Sequence, residues 1–233
     1  METTYSLELS FAELGWLAGA FGMARLPFML PGSFTEDDGR RSLRQRGLIQ
    51  PAEKGGWQVD PFAALALQWM AEARHYWVFE QYRPGVTRPM QIPLFMQNGA
   101  ALLVLPSMDE KRVVACQDVA SALMEWRLAI RLPFSSGSGE LVVWDVPQPL
   151  TIIRANWKSP DLAQKMASPE FLQWASSLEW AGEWAVVNDD QRSTRFVLAV
   201  KGNSIWAGRY APGRPGEFIL REFHQDELKG IFL

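Results

Sequence analysis

The feature that most restricts the fold is an order of elements that occurs twice. Leu67-Gln68-Trp69 recurs as Leu172-Gln173-Trp174, 105 residues further on. Each triplet follows a capping residue and a proline, Asp60-Pro61 and Ser168-Pro169, the residue types that suit the N-cap and first position of a helix. A Trp-bearing run comes next, His75–Tyr82 in one case and 183–188 in the other. Two apolar runs around a glycine turn follow, Met90–Gln97 with 100–105, then 195–201 with Ser204–Tyr210. A fourth run, 112–116 or Glu217–Phe223, leads toward a last helix, and Gln117-Asp118 is echoed there by Gln225-Asp226. This order predicts an α+β fold: a central, mostly antiparallel sheet with helices, built from two quasi-equivalent halves. The expected division is an N-terminal α/β half over 1–131, a linker at 132–139 (LPFSSGSG) and a C-terminal α/β half over 140–233.

Composition narrows the function classes. With 233 residues, 48% hydrophobic and 21% charged, the chain has enough apolar material for a sizeable core and does not read as disordered. A net charge of −3 gives no overall attraction to nucleic acid or anionic lipid. The single cysteine, Cys116, excludes an internal disulfide and fits a reducing compartment. The first ten residues, METTYSLELS, lack the basic and apolar regions of a signal peptide, and no apolar run is long enough for a membrane span. A cytoplasmic location is expected. Eleven tryptophans are unusual. Such rings serve cores and interfaces alike, because a large apolar area carries one N–H that needs a partner.

Read in order, residues 5–9 alternate as a strand. Ser10-Phe11-Ala12-Glu13 then forms a capping-box pattern, with Phe11, Leu14, Ala18 and Phe21 on one stripe of the following helix. Gly15, Gly19 and Gly22 line another stripe and predict close approach of a neighbour. The run from Pro27 to Gly32 breaks this helix. A second helix over 39–46 carries Arg40, Arg41, Arg44 and Arg46 and stops at Gly47. A small hairpin around Lys54-Gly55-Gly56 completes a winged-helix-like insertion at 39–59. Four arginines beside a wing could meet phosphates, which makes a nucleic-acid-binding protein the alternative reading; a solvated helix face explains them too. The helix opened by Pro61 should bury Phe62, Leu65, Ala66, Trp69, Met70 and Ala73. Asn98-Gly99 and Gly202-Asn203 predict hairpin turns. Asp118 should cap a helix that turns Val119, Leu123, Trp126 and Ile130 inward. The run 152–157 fits either helix or strand, Ser159-Pro160 opens a short helix, and 224–232 reads as a short terminal one.

Catalytic and metal-binding patterns are not found. His75 and His224 have no second ligand at metal-site spacing, and Cys116 ends an apolar strand with no base to activate it. The acidic pairs Asp109-Glu110 and Asp189-Asp190 read as turn residues. Nucleophile-elbow and phosphate-loop fingerprints are missing as well. The expectation is a chain that is not an enzyme and needs no cofactor and no metal.

Leu9-Ser-Phe-Ala-Glu-Leu-Gly through Phe28-Met29-Leu30, then GRRSLRQRGLI from Gly39 to Ile49, then Val59-Asp60-Pro61, resemble the N-terminal half of the EspG proteins. These are the cytosolic chaperones of type VII secretion. Gly208-Arg209-Tyr210, a Gly/Pro turn and the strand from Phe218 resemble the family's ending. The resemblance implies a central sheet with two quasi-equivalent halves and an adaptor that keeps a helical secreted partner soluble before export. In the family that partner is a PE–PPE heterodimer, held near the tip of the PPE helical bundle. No family motif marks contact residues here. From the sequence itself, Trp157 and Trp180 are the candidate partner-binding residues, being less tied to an alternating pattern than Trp69 or Trp174; a place in the core is the other reading of both.

Overall fold

The computed structural model describes residues 5–23, 26, 36–107, 110–188, 191–211, 214, 216–224 and 227. The helix break at Pro27 to Gly32, turn residues Asp109, Asp189 and Asp190, Gln225-Asp226 and most of the expected terminal helix lie outside them. The chain is α+β, with antiparallel strand pairing. Its contacts group it into two compact units, 1–76 with 92–126, and 77–91 with 127–233.

In the first unit, β1 (Tyr5–Ser10) leads directly into α1 (Phe11–Ala20). The capping box forms: the Ser10 hydroxyl accepts from Glu13 N at 3.1 Å, and the Glu13 carboxylate accepts from Ser10 N at 2.8 Å. Then follow α2 (Glu36–Gln45), the hairpin β2 (Ile49–Pro51) and β3 (Trp57–Val59), and α3 (Pro61–Glu72). The Asp60 carboxylate caps α3 by accepting from Phe62 N and Ala63 N, both at 3.0 Å. Strands β5 (Met90–Gln97), β6 (Ala100–Ser107) and β7 (Glu110–Cys116) pair in the order β1-β7-β6-β5. The β5–β6 turn holds Asn98 at φ 51° and Gly99 at φ 83°, the left-handed pair that a tight hairpin requires. Helix α4 (Val119–Ile130), whose residues from 127 on belong to the second unit, begins where Asp118 accepts from Ser121 N at 2.7 Å. It buries Ala122, Leu123, Trp126 and Ile130, while Val119 is only partly covered. The core joins Leu9, Leu14 and Leu17 of β1 and α1 to Leu67 and Met70 of α3 and to Phe95, Leu102 and Val113 of the strands.

Two expectations change in this unit. The close approach between α1 and α2 does not use Gly19 or Gly22, where an added Cβ would meet nothing within 4 Å among the described residues. It is made by Gly39 of α2, where a Cβ would stand 2.2 Å from the Ala12 carbonyl oxygen of α1. The buried face of α3 is also rotated: Ala63, Ala66, Leu67 and Met70 are covered, and Leu65 is exposed. Two small alanines let the helix backbone settle on its support, which turns the larger Leu65 out to the rim.

In the second unit, β4 (His75–Tyr82), β9 (Trp180–Asn188), β10 (Gln191–Lys201), β11 (Ser204–Tyr210), β12 (Glu217–Phe223) and β8 (Leu141–Asp145) lie side by side in that order. Helices α5 (Pro149–Lys158), α6 (Pro160–Ala163) and α7 (Pro169–Ser176) all start at a proline. The ambiguous run 152–157 is therefore helix, and it buries Ile152, Ile153 and Asn156. The core of this unit gathers Ile152, Ile153, Phe171, Leu172, Ala199, Phe218 and Leu220. The segment 132–139 has neither helix nor strand, yet Ser135 is buried and the Glu222 carboxylate accepts from Ser138 N at 3.1 Å.

Candidate protein-binding site

Of the eleven tryptophans four are buried, six are partly covered and one is exposed. Trp126, Trp180, Trp184 and Trp206 are buried, and Trp57 is the one that is exposed. Trp180 opens β9 only 4% exposed, its ring edge-on to Phe79 at 6.1 Å. Trp157 is half-buried on α5 and donates its ring N–H to the Ala175 carbonyl at 3.1 Å. Trp180 is thus packed in the interior, and Trp157 is half-buried against the core.

The exposed apolar surface of the first unit lies elsewhere. Between α3 and strands β1, β6 and β7 runs a groove of ≈ 220 Å³. Phe62, Leu65, Ala66 and Trp69 form one wall, and Tyr5, Leu102, Ala115 and Cys116 form the other wall and the floor. Tyr5 is 61% and Leu65 47% exposed, and the Tyr5 and Phe62 rings stand 6.3 Å apart. Its lining is mostly apolar, with Gln117 among the residues that edge it. Such a groove can take an apolar ridge from another protein. Sequence periodicity missed it, because the same pattern that places Leu65 on the α3 stripe places it in the core.

The arginines of α2 and the turn after it separate into two kinds. Arg40, Arg41 and Arg44 are exposed and line a shallow hollow of ≈ 430 Å³ with Asp37 and Trp57. Asp37 already takes Arg40, at 2.7 Å. Arg46 does not belong to this surface. Its Nη1 donates to both carboxylate oxygens of the fully buried Glu13, and its Nη2 to the Glu8 carbonyl at 2.6 Å.

The second unit, to which Gln91 at the start of β5 belongs, holds a buried polar network on β4, β9 and β10. Glu80, 5% exposed, accepts from Tyr82 at 2.5 Å, Gln91 at 2.6 Å and Arg192 at 2.8 Å. Arg192 continues to Glu183 at 2.6 Å, and Arg154 lies 4.2 Å over the Tyr82 ring. Burial alone would raise the Glu80 carboxyl, but the bonds from Arg192, Tyr82 and Gln91 outweigh it and hold the group below its ordinary value. Burial and the adjacent Glu80 carboxylate push the Tyr82 phenol up. Both Glu80 oxygens are occupied, so the network fixes strands and presents no free base. Among the described residues no group of three or more metal-ligand side chains stands together. No described helix is long and apolar enough to cross a membrane.

Comparison with solved structures decides the fold. A chain from the structure of the Mycobacterium tuberculosis type VII secretion system chaperone EspG5 in complex with the PE25–PPE41 dimer superimposes with a TM-score of 0.63. The match covers 98% of this chain and 95% of that one, at 10% sequence identity. The fold is EspG5-like. No protein-family profile and no curated protein sequence matches the chain. At this identity the EspG5 likeness establishes architecture, and function has to be argued from surfaces.

Proposed function

We propose that this chain is a non-enzymatic adaptor, a chaperone that holds a helical protein partner in soluble form, as expected of a component of type VII export. The observation that carries the reading is the EspG5-like fold across nearly the whole chain, EspG5 having been solved with a PE25–PPE41 dimer bound. The apolar groove along α3 supplies a surface of the right chemistry, with Leu65 and Tyr5 as its accessible anchors. An amphipathic helix offers apolar side chains at i, i+3, i+4 and i+7, which suits a narrow apolar cleft with a rim. Trp157 contributes an edge at most, and Trp180 contributes packing.

The alternative, a nucleic-acid binder using Arg40, Arg41, Arg44 and Arg46, is weaker on the geometry. Arg46 is taken up by Glu13 and Arg40 shares its charge with Asp37, which leaves Arg41 and Arg44 on a chain of net charge −3.

The test is affinity purification of the tagged chain from the cytosol of its own host, followed by identification and circular dichroism of what is retained. The reading predicts a near-equimolar helical protein that precipitates when expressed alone. Retention of nucleic acid, or of no protein in stoichiometric amount, would overturn it.

A further inference from the structure

The edge strand of the second unit carries a pattern that the adaptor reading does not use. β8 pairs with β12 on one side, Val143 opposite Ile219, and ends the strand order. Val146 N donates to the Gly216 carbonyl at 2.7 Å, and Glu222 N to the Glu140 carbonyl at 2.9 Å. In an antiparallel ladder the hydrogen-bonding residues alternate, so 140, 142, 144 and 146 direct their backbone groups to β12. Leu141, Val143 and Asp145 therefore direct N–H and C=O outward, and none of them has a backbone partner among the described residues. The side chains follow the same alternation. Val142 and Trp144 pack into the core, while Leu141 is 59% and Val143 51% exposed.

An open ladder flanked by apolar side chains is a template for another strand unless charge, proline or a covering group blocks it. The first unit shows such a block: Arg46 covers the Glu8 carbonyl on β1. β8 has only Asp145.

We propose that β8 is a homotypic pairing strand, through which two copies of the chain join antiparallel about a two-fold axis at Val143. The pattern is self-complementary. With Val143 opposite its own copy, Leu141 faces Asp145 of the second copy and Asp145 faces Leu141, so every outward residue meets an outward residue. Each such pair exchanges both N–H···O bonds. Asp145 meets no like charge directly, and Pro147, which has no N–H, limits sliding toward the C-terminal side. A two-fold contact of this kind closes on itself and yields a dimer, not a fibre. The inference does not depend on the adaptor reading.

The test is sedimentation equilibrium of the full chain across the micromolar range, with Val143→Glu, Val143→Lys and the groove variant Leu65→Glu beside it. The wild-type chain and Leu65→Glu should sediment at twice the 26.4 kDa chain mass. Each Val143 variant should dimerise at least roughly 100-fold more weakly, because like charges meet on the axis. Mixing the two Val143 variants should restore dimers containing one of each, seen by native mass spectrometry, which also shows that both fold. A monomeric wild-type chain, an unchanged dimer in either Val143 variant, or a mixture that stays monomeric would overturn the proposal. An added unrelated strand peptide captured by a monomeric wild-type chain would do so too, in favour of a foreign strand.

Discussion

Arg46 closes a bidentate contact on Glu13, at 2.9 and 2.7 Å, across 33 positions of sequence. Glu13 is fully buried, and its oxygens also accept from Ser10 N and the Ser42 hydroxyl. One carboxylate thus caps α1, anchors α2 and meets the guanidinium that covers the edge of β1. Removing the arginine leaves a buried carboxylate without its countercharge. Arg46 is itself partly open to water, which can reach the carboxylate once the arginine is gone, so Arg46→Ala is expected to cost about 1–3 kcal/mol of unfolding free energy. Arg41→Ala and Arg44→Ala, at exposed positions, should stay within about 0.5 kcal/mol. Urea denaturation of the three variants checks the contrast.

Gly39 allows α2 to lie against α1. In a free helix Gly→Ala would stabilise by about 1 kcal/mol. Here the new methyl would sit 2.2 Å from a backbone carbonyl oxygen that has no rotamer to move into. The clash outweighs the propensity gain, so Gly39→Ala should lose about 2 kcal/mol or more. Thermal unfolding reads the sign directly.

Glu80 sets a pH dependence whose direction follows from its depressed titration. A carboxyl held below its unfolded value stabilises the fold above that value, and the contribution is lost as pH falls through the folded one. Glu80→Gln should cost about 2–4 kcal/mol near neutrality, since Arg192 keeps Glu183 but the network loses its charged centre. The gap between wild type and variant should narrow as pH drops through and below the ordinary carboxyl range. A gap that widens on acidification would contradict the assignment.

What the sequence reveals here is local chemistry. Asp60, Asp118 and Ser168 cap the helices expected of them, and Asn98-Gly99 makes its turn, because each such signal acts within a few residues. Pro149 at the start of α5 decides the ambiguous 152–157 run in favour of helix, with Ile152 and Ile153 buried despite their β-branched side chains. The groove was not legible. Whether Leu65 or Ala63 faces inward on α3 depends on how closely the helix approaches its strands, and no periodicity within α3 contains that distance. The Glu13–Arg46 and Glu80–Arg192 pairs span 33 and 112 positions and leave no trace at helical or strand spacing. The irregular pattern around Trp180 leaves interface and core both open, and the residue opens β9 only 4% exposed.

Leu65 separates binding from folding. Its side chain is 47% exposed on the groove rim, so Leu65→Glu should cost no more than about 1.5 kcal/mol of stability and leave the fold intact. The same change puts a carboxylate where an apolar ridge must be desolvated. Partner affinity should fall by about 100-fold, measured by calorimetry on the purified complex.

The most direct measurement of the adaptor account is the solubility of the retained helical partner, expressed alone, with the wild-type chain, and with Leu65→Glu. The account predicts a partner found in the pellet when alone, soluble and bound with the wild-type chain, and largely back in the pellet with the variant. A partner that is equally soluble in all three would contradict it.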